Sequence, residues 1–150
     1  ICLSDYYKND NYDIMFVDFS TVWCPPCNDA AASEHEFIEH LESNGWKPLW
    51  VTILLQNSSS GPASQSDAQA WASTYNLDPS KVLYSSGSWS NAVTRGFPSI
   101  YVVHNSNMLI WDIQAGWLGV DSGYWEQWAN FWSGSNGLLE YCASQSGAID

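Results

Sequence analysis

The segment that decides the fold is residues 14–27, which read Ile-Met-Phe-Val-Asp-Phe-Ser-Thr-Val-Trp-Cys-Pro-Pro-Cys. Residues 14–19 are apolar apart from Asp18 and rich in β-formers, which predicts a short buried strand. Pro25 and Pro26 then favour the first turn of a helix, where a missing N–H costs nothing. The segment therefore predicts a strand, a turn and a helix that begins at a Cys-x-x-Cys motif.

Cys24 and Cys27 lie at the predicted start of this helix. The unpaired N–H groups and the macrodipole of a helix N-terminus favour an anion. We therefore expect the pKa of Cys24 to lie below the free value of about 8.5. Two intervening residues on a helical turn bring the sulfurs within bridging distance. We expect Cys24 to be the exposed attacking thiol and Cys27 the buried resolving thiol.

Other uses of this cysteine pair stay open on the sequence: half of a zinc site, a copper site made by two thiolates, and a purely structural disulfide. Structural zinc usually needs a second ligand pair. Cys2 and Cys142 are isolated and no His has the required spacing, so we expect no metal. The prolines and the preceding strand favour redox chemistry. The Cys24–Cys27 disulfide would itself be the redox group, without a separate cofactor.

The rest of the chain predicts one α/β domain over residues 1–150, a normal length for one domain. The predicted elements are strands over 48–56, 81–84, 99–104 and 108–114 and helices over 25–41, 67–76 and 122–133. A β-α-β unit implies parallel pairing with a right-handed crossover, and the late hairpin adds antiparallel strands. We expect a central mixed sheet flanked by helices on both faces, with Ser66 or Asp67 capping the second helix.

The first helix has an apolar and an acidic side. Its expected core residues are Ala30, Ala31, Phe37, Ile38 and Leu41, and the carboxylates expected mostly outside are Glu34, Glu36, Glu39 and Glu42.

The charge balance excludes several classes of partner. The chain has 16 Asp and Glu against 4 Lys and Arg, a formal net charge of -12. Nucleic acids and anionic membrane surfaces attract basic residues, so neither is an expected partner. No apolar run approaches the roughly 20 residues that a membrane span needs.

The cysteines and the composition suggest an oxidising compartment. The chain begins at Ile1, which indicates processing, and it is poor in lysine and rich in Trp, Ser and Asn. Cys2 and Cys142 would form a second disulfide, worth about 3 to 5 kcal/mol in the chain-entropy model. Two free thiols, or a Cys2 that once carried a lipid, are the alternatives. We expect a periplasmic or secreted protein, with membrane anchoring before processing as one version of this expectation.

Residues 17–27 resemble the active-site signature of the thioredoxin-like superfamily. The resemblance continues through Gly96-Phe97-Pro98 and the hairpin, and so covers most of residues 12–135. The polar insertion at 57–66, followed by a helix, is more similar to the exported TlpA-like thioredoxins than to cytosolic thioredoxin. The resemblance implies a thioredoxin fold and a thiol–disulfide oxidoreductase. Its partners would be protein disulfides or dithiols and an upstream redox protein.

The resemblance also implies roles for individual residues. Asp18, six residues before Cys24, matches the family's buried acid, which would accept the proton of Cys27 through water. Burial should raise the pKa of Asp18. Pro98 matches the cis-proline, which would hold the backbone of Phe97 beside Cys24 for pairing with substrate. Trp23 would shield the cysteines and offer an apolar contact.

Three positions depart from the family pattern. Ala32 occupies the site of a helix proline, and Phe97 is bulkier than the usual Thr or Val. No lysine in residues 48–56 pairs with Asp18. These departures predict an unkinked helix, narrower access to Cys24 and a high pKa for Asp18.

The same residues also resemble, less closely, the active site of a peroxidase. Thr21-x-x-Cys24 fits the end of the peroxiredoxin signature, and Arg95 could serve as the partner arginine. However, Val17 replaces the expected proline and a Cys-x-x-Cys is foreign to that site.

Two further classes stay open. One is a redox-inert thioredoxin-fold interaction module with a Trp-rich surface; the other binds copper through Cys24 and Cys27. Trp125, Trp128 and Trp132 recur at helical spacing, which is more typical of core than of a binding surface.

Overall fold

The strand that leads into the motif lies at the centre of a mixed five-stranded sheet. In this computed structural model the described residues are 6–85, 93 and 96–125. The strands are β1 (Ile14–Thr21), β2 (Pro48–Gln56), β3 (Val82–Tyr84), β4 (Ser99–His104) and β5 (Ile110–Ala115), and the helices are α1 (Pro25–Ser43) and α2 (Gln65–Tyr75). The order β3-β2-β1-β4-β5 pairs β1 with β2 in parallel and with β4 antiparallel. The predicted α/β class and mixed sheet are confirmed.

All eight residues of β1 are buried, which explains the apolar run in the sequence. Side chains alternate between the two faces of a strand. Phe16 points to the face that α1 covers, and its ring lies 5.1 Å from that of Phe37. Phe37 also contacts Trp117 at 5.5 Å. Asp18, two residues after Phe16, therefore lies on the α1 side of the sheet.

The two faces of the sheet have different covers. Both α1 and α2 belong to one apolar cluster, which contains Cys27, Leu54 and Trp71. The opposite face is formed by Met15, Val17, Phe19, Leu49, Val51 and Val103. Among the described residues, loop and hairpin side chains pack on this second face, and they include Tyr6, Tyr12, Val93 and Met108. Gln65, Ala68 and Gln69 of α2 line a cavity together with Val17 and Val51 of the same face.

Helix α2 begins earlier than predicted. Its N-cap is Ser64, and the expectation of Ser66 or Asp67 was wrong. The Ser64 hydroxyl accepts a hydrogen bond from the Asp67 N–H at 3.3 Å, and the Asp67 carboxylate accepts one from the Ser64 N–H at 2.8 Å. Ser64 and Asp67 thus form a capping box, with Asp67 at the third helical position. This reciprocal pair satisfies two backbone N–H groups, whereas a single capping side chain satisfies one.

We expect Ser64→Ala to lower the free energy of unfolding by about 1 kcal/mol, the usual effect of losing an N-cap hydroxyl. Urea denaturation measures this loss. Ser66→Ala is the matched control and should change stability by less than about 0.5 kcal/mol. An equal loss in both variants would contradict the assignment of the cap to Ser64.

The chain divides into two units, Ile1–Val120 and Asp121–Asp150. In the second unit the described residues end at Trp125, and a helix begins at Tyr124. Most of the predicted helix over 122–133, the predicted turn near 90–95, and Trp128 and Trp132 lie outside the described residues. The expectation of one domain over residues 1–150 stays a prediction. In the parts of the chain that the structure describes, no helix is long and apolar enough to cross a membrane.

Candidate active site

The Cys-x-x-Cys motif lies where β1 passes into α1. Cys24 is the N-cap of the helix, and Pro25 and Pro26 occupy its first two positions. Proline has no N–H, so the first donor that the helix offers belongs to Cys27. This N–H is shared between the Cys24 carbonyl at 3.1 Å and Cys24 Sγ at 3.3 Å. The sequence therefore aims the N-terminal donor of α1 at one sulfur.

Cys24 and Cys27 form a disulfide, with their Cα atoms 5.3 Å apart. Cys27 is fully buried and Cys24 is only 3% exposed. The expectation of an exposed Cys24 was therefore wrong for the disulfide form. The cause is packing, because the disulfide belongs to the apolar cluster of α1 and α2, with Val22 and Phe97 against it.

The start of α1 differs from the rest of this acidic chain in its charge. The first turn of α1 carries no Asp or Glu, although the chain has a net charge of -12. The charge effect of a helix terminus is confined to its first turn. A thiolate at Cys24 would therefore meet the N–H of Cys27 rather than a neighbouring carboxylate of that turn.

Asp18 is completely buried beneath α1. Its carboxylate accepts hydrogen bonds from Ser20 Oγ at 2.7 Å and from Thr52 Oγ1 at 3.4 Å. Burial raises the pKa of Asp18 to about 7, and the two hydroxyl donors oppose part of that rise. Thr52 is the register partner of Asp18 on β2, so a neutral hydroxyl stands where a lysine would stabilise the carboxylate.

Phe97 and Trp23 form the rim beside the disulfide. The Phe97–Pro98 peptide bond is cis. The Phe97 and Trp23 rings meet edge to face, with centroids 5.9 Å apart. Trp23 Nε1 donates to Gln56 Oε1 at 2.8 Å, and the Trp23 side chain is 44% exposed.

The backbone groups of Pro98 and Phe97, on the two sides of this cis bond, differ in their hydrogen bonds. The Pro98 carbonyl accepts from the Gly116 N–H at 2.8 Å, which fixes it to the end of β5. The N–H and carbonyl of Phe97 make no backbone hydrogen bond with the described residues.

The fold has close relatives among solved structures. A Chlorobium tepidum protein, provisionally assigned as the thiol:disulfide interchange protein DsbE, superposes with a TM-score of 0.64 at 17% identity over 87% of this chain and 84% of its own. The exposed lipoprotein thioredoxin Etrx1 of Streptococcus pneumoniae gives 0.55 at 18% identity, over 85% and 89% of the two chains. A secreted Mycobacterium tuberculosis disulfide oxidoreductase, homologous to Escherichia coli DsbE, gives 0.50 at 22%, over 74% and 78%. The chain has the thioredoxin fold.

No family model matches the sequence. No curated protein matches it either. At these identities the structural likeness establishes the thioredoxin fold alone, and the chemistry has to be argued from the residues.

Three polar residues that frame the thioredoxin-fold motif were missed by sequence reasoning. Thr52 and Gln56 owe their places to strand register, which the sequence does not state. Glu34 was placed with the solvated acids of α1, but it is half-buried. Its spacing of seven residues from Cys27, two helical turns, was the available signal.

Glu34 has an unusual electrostatic setting. Burial and the charge of Asp18 raise the pKa of Glu34 to about 8, with a smaller upward effect from Asp78 and an opposing effect from Lys81. Two carboxyls of raised pKa therefore follow the motif inward, Asp18 on β1 and Glu34 two turns along α1 from Cys27.

Several expectations fall on other parts of the chain. Cys2, Cys142 and Arg95 lie outside the described residues, so the second disulfide and the peroxidase arginine stay predictions. Within the described ranges, no three His, Cys, Asp or Glu side chains gather as a metal-binding group.

Proposed function

We propose that this protein is a thiol–disulfide oxidoreductase that exchanges disulfides with protein substrates through Cys24 and Cys27. The observation that carries the proposal is the Cys24–Cys27 disulfide at the N-terminus of α1, with the Cys27 N–H aimed at Cys24 Sγ. After reduction, the same N–H would stabilise a thiolate at Cys24, because a charge-assisted hydrogen bond favours the charged form.

Disulfide reduction proceeds in two exchanges. The Cys24 thiolate attacks one sulfur of the substrate disulfide, and the other leaves as a thiolate that takes a proton from solvent. Cys27 then gives its proton to Asp18 through water and attacks Cys24 Sγ. The Cys24–substrate bond breaks, the Cys24–Cys27 disulfide forms, and the substrate has gained two electrons. The reverse sequence oxidises a substrate dithiol.

Asp18 suits the second exchange because of its raised pKa. A group accepts and releases protons best when its pKa lies near the working pH, and burial places that of Asp18 at about 7. An Asp with an ordinary pKa would be too weak a base to take the proton of a thiol.

The rim beside the disulfide supports a polypeptide substrate. Because the N–H and carbonyl of Phe97 make no backbone hydrogen bond within the described part of the chain, they could pair with an extended substrate segment, a mode in which main-chain hydrogen bonds supply affinity. Trp23 adds an exposed apolar surface. An upstream redox protein would meet the same surface to restore the starting state.

We place the protein outside the cytoplasm, periplasmic or secreted. Two structurally similar proteins support this location, since one is an exposed lipoprotein and the other a secreted oxidoreductase. Disulfides also persist mainly in such compartments. The proposed Cys2–Cys142 disulfide is consistent with this location.

The reduction potential of the Cys24–Cys27 pair, measured in glutathione buffers, tests the proposal. We expect the pair to cycle reversibly, with a reduction potential between about -270 mV, typical of a reductant, and about -120 mV, typical of an oxidant. We also expect turnover with insulin as substrate. A potential below about -300 mV without turnover would indicate a structural disulfide and overturn the proposal. Stoichiometric copper in the reduced protein, again without turnover, would favour the metal-binding alternative.

A further inference from the structure

Among the described residues, the buried Asp18 has no charged hydrogen-bond partner. Its partners are the hydroxyls of Ser20 and Thr52, and Thr52 Oγ1 in turn accepts from Trp50 Nε1 at 3.1 Å. If the proposed function holds, Asp18 must release to solvent each proton that it takes from Cys27. A neighbouring titratable group would give a completely buried carboxyl a route for this release.

Helix α1 places Glu34 on the side that faces Asp18. Cys27, Ala31 and Leu41 mark this buried side, with exposed fractions of 0%, 2% and 1%. Glu34 follows Cys27 by two turns, about 10 Å along the axis at 1.5 Å per residue. It therefore lies too far along the helix to touch the sulfurs, but on the same side of α1.

The segment after α2 connects the same region with the surface. The Lys81 carbonyl accepts from the Thr52 N–H at 3.0 Å, so Lys81 adjoins the residue that contacts Asp18. Lys81 Nζ lies 3.8 Å from Asp78 Oδ2, and both side chains are partly exposed. Glu34 interacts electrostatically with Asp18, Lys81 and Asp78. Glu34 is thus within electrostatic range of both the buried carboxyl and the surface pair.

We propose that Glu34 is a positioning residue that acts through Asp18, passing the proton that Asp18 receives from Cys27 to solvent beside Lys81 and Asp78. The steps balance without a further reactant. The Cys27 thiol protonates Asp18, Glu34 releases a proton to water, and Asp18 then protonates the Glu34 carboxylate. The Cys27 thiolate is left free to attack Cys24.

Mutual repulsion makes the two carboxyls suitable for this exchange. In a site of low dielectric, two nearby carboxylates do not ionise independently, so their titration belongs to the pair. The charge of Asp18 raises the pKa of Glu34 to about 8, so Glu34 ionises after Asp18, whose pKa is about 7. Within the described ranges, the charged groups that act on Glu34 are Asp18 from β1 and Lys81 and Asp78 from the segment after α2, and of these only Lys81 is a cation.

Glu34→Gln tests the inference, with Glu36→Gln as the matched control. Glu36 lies on α1 and is exposed, so both variants replace one carboxyl group of the same helix with an amide. The first readout is the carbon-13 titration of the Asp18 carboxyl in the disulfide form, in which the cysteines do not titrate. In the wild type and in Glu36→Gln we expect the Asp18 resonance to show a second step where Glu34 ionises, and in Glu34→Gln we expect this step to be lost.

The second readout is the rate of insulin reduction from about pH 5 to about pH 9. At neutral pH we expect Glu34→Gln to be about tenfold slower, less than the roughly 100-fold or greater effect of a direct acid–base group. Its profile should also lose the higher of the two ionisations. Glu34→Asp should recover the wild-type profile and rate within about twofold, because it keeps the carboxyl.

The outcomes separate the two proposals. Profiles and Asp18 titrations that are the same in Glu34→Gln and Glu36→Gln would overturn the role of Glu34 in an active protein. A wild type that reduces insulin at no pH would overturn the proposed function and this inference with it. If Glu34→Gln does not fold, Glu34→Met, which keeps the length of the side chain without its charge, gives the same comparison.

Discussion

Replacing Cys24 with Ser should abolish disulfide reduction, with kcat/KM falling at least about a thousandfold. The thiolate is the attacking species, and a serine hydroxyl does not replace it at neutral pH. The fold should survive, because serine is a favoured N-cap residue and can keep the hydrogen bond from the Cys27 N–H. Insulin reduction with a small dithiol as electron donor measures the loss, and a circular dichroism spectrum verifies the fold.

Cys27→Ser is the matched variant, because it removes the other sulfur of the same pair. Here Cys24 can still attack, but no thiol resolves the product. We expect a covalent mixed disulfide between Cys24 and the substrate, visible by mass spectrometry and on a non-reducing gel. An adduct in Cys24→Ser and none in Cys27→Ser would reverse the assigned roles. Activity within about tenfold of wild type in Cys24→Ser would contradict the mechanism.

The sequence predicted the elements whose signals are local. The bounds of β2 and β4 were correct to the residue, because continuous apolar runs between polar turns mark buried strands. The start of α1 was also correct, since two prolines can occupy only the first turn of a helix. Helix α2 was located less well, because Ser64 and Ser66 both lie near its start, and the reciprocal hydrogen bonds with Asp67 select Ser64 as the cap.

The candidate site was predictable where spacing determines chemistry. Cys24 and Cys27 follow from the motif, and Asp18 follows from the resemblance to the thioredoxin-like superfamily, in which it matches the buried acid six residues before the first cysteine. The setting of Asp18 was not predictable, because Thr52 reaches it only through the register between β1 and β2. The burial of Cys24 depends on packing from α2 and from Phe97, which are far away in the chain.

Glu34 shows why the acidic pattern of α1 alone does not identify which of its glutamates is buried. Four glutamates follow the motif on α1, and composition assigns all of them to solvent. Only one falls on the buried side with Cys27, and a carboxylate there costs free energy unless it is paired or protonated. The fold tolerates this cost beneath the motif, which is typical of a functional site rather than of a stable core.

The largest stability effect should come from Asp18→Asn. The pKa of Asp18 is about 7 in the folded protein, against an ordinary value of 3.8. Between these values the folded protein holds a proton that the unfolded chain has released, so its stability falls as the pH rises. One unit of pKa corresponds to about 1.4 kcal/mol, so ionising Asp18 costs about 4 kcal/mol once the pH exceeds its folded pKa.

Asparagine is close in size to aspartic acid and stays neutral, so it avoids this cost. We expect Asp18→Asn to be up to about 4 kcal/mol more stable than wild type above neutral pH and equally stable near pH 4. The Ser20 and Thr52 hydroxyls can bond to the amide, which limits the loss of hydrogen bonds. The charge of Asp18 also raises the pKa of Glu34, so its removal adds to the gain at high pH.

Urea denaturation of the disulfide form at about pH 4 and about pH 8 measures the effect without titrating cysteines. The matched control is Asp10→Asn, which removes one carboxylate from an exposed position and should change stability by less than about 0.5 kcal/mol at both values. A gain that does not depend on pH would contradict a raised pKa for Asp18. The same variant should slow disulfide reduction, because its amide cannot accept the proton of Cys27. If Asp18→Asn makes the protein both more stable and less active, the buried carboxyl lowers stability but is needed for the reaction.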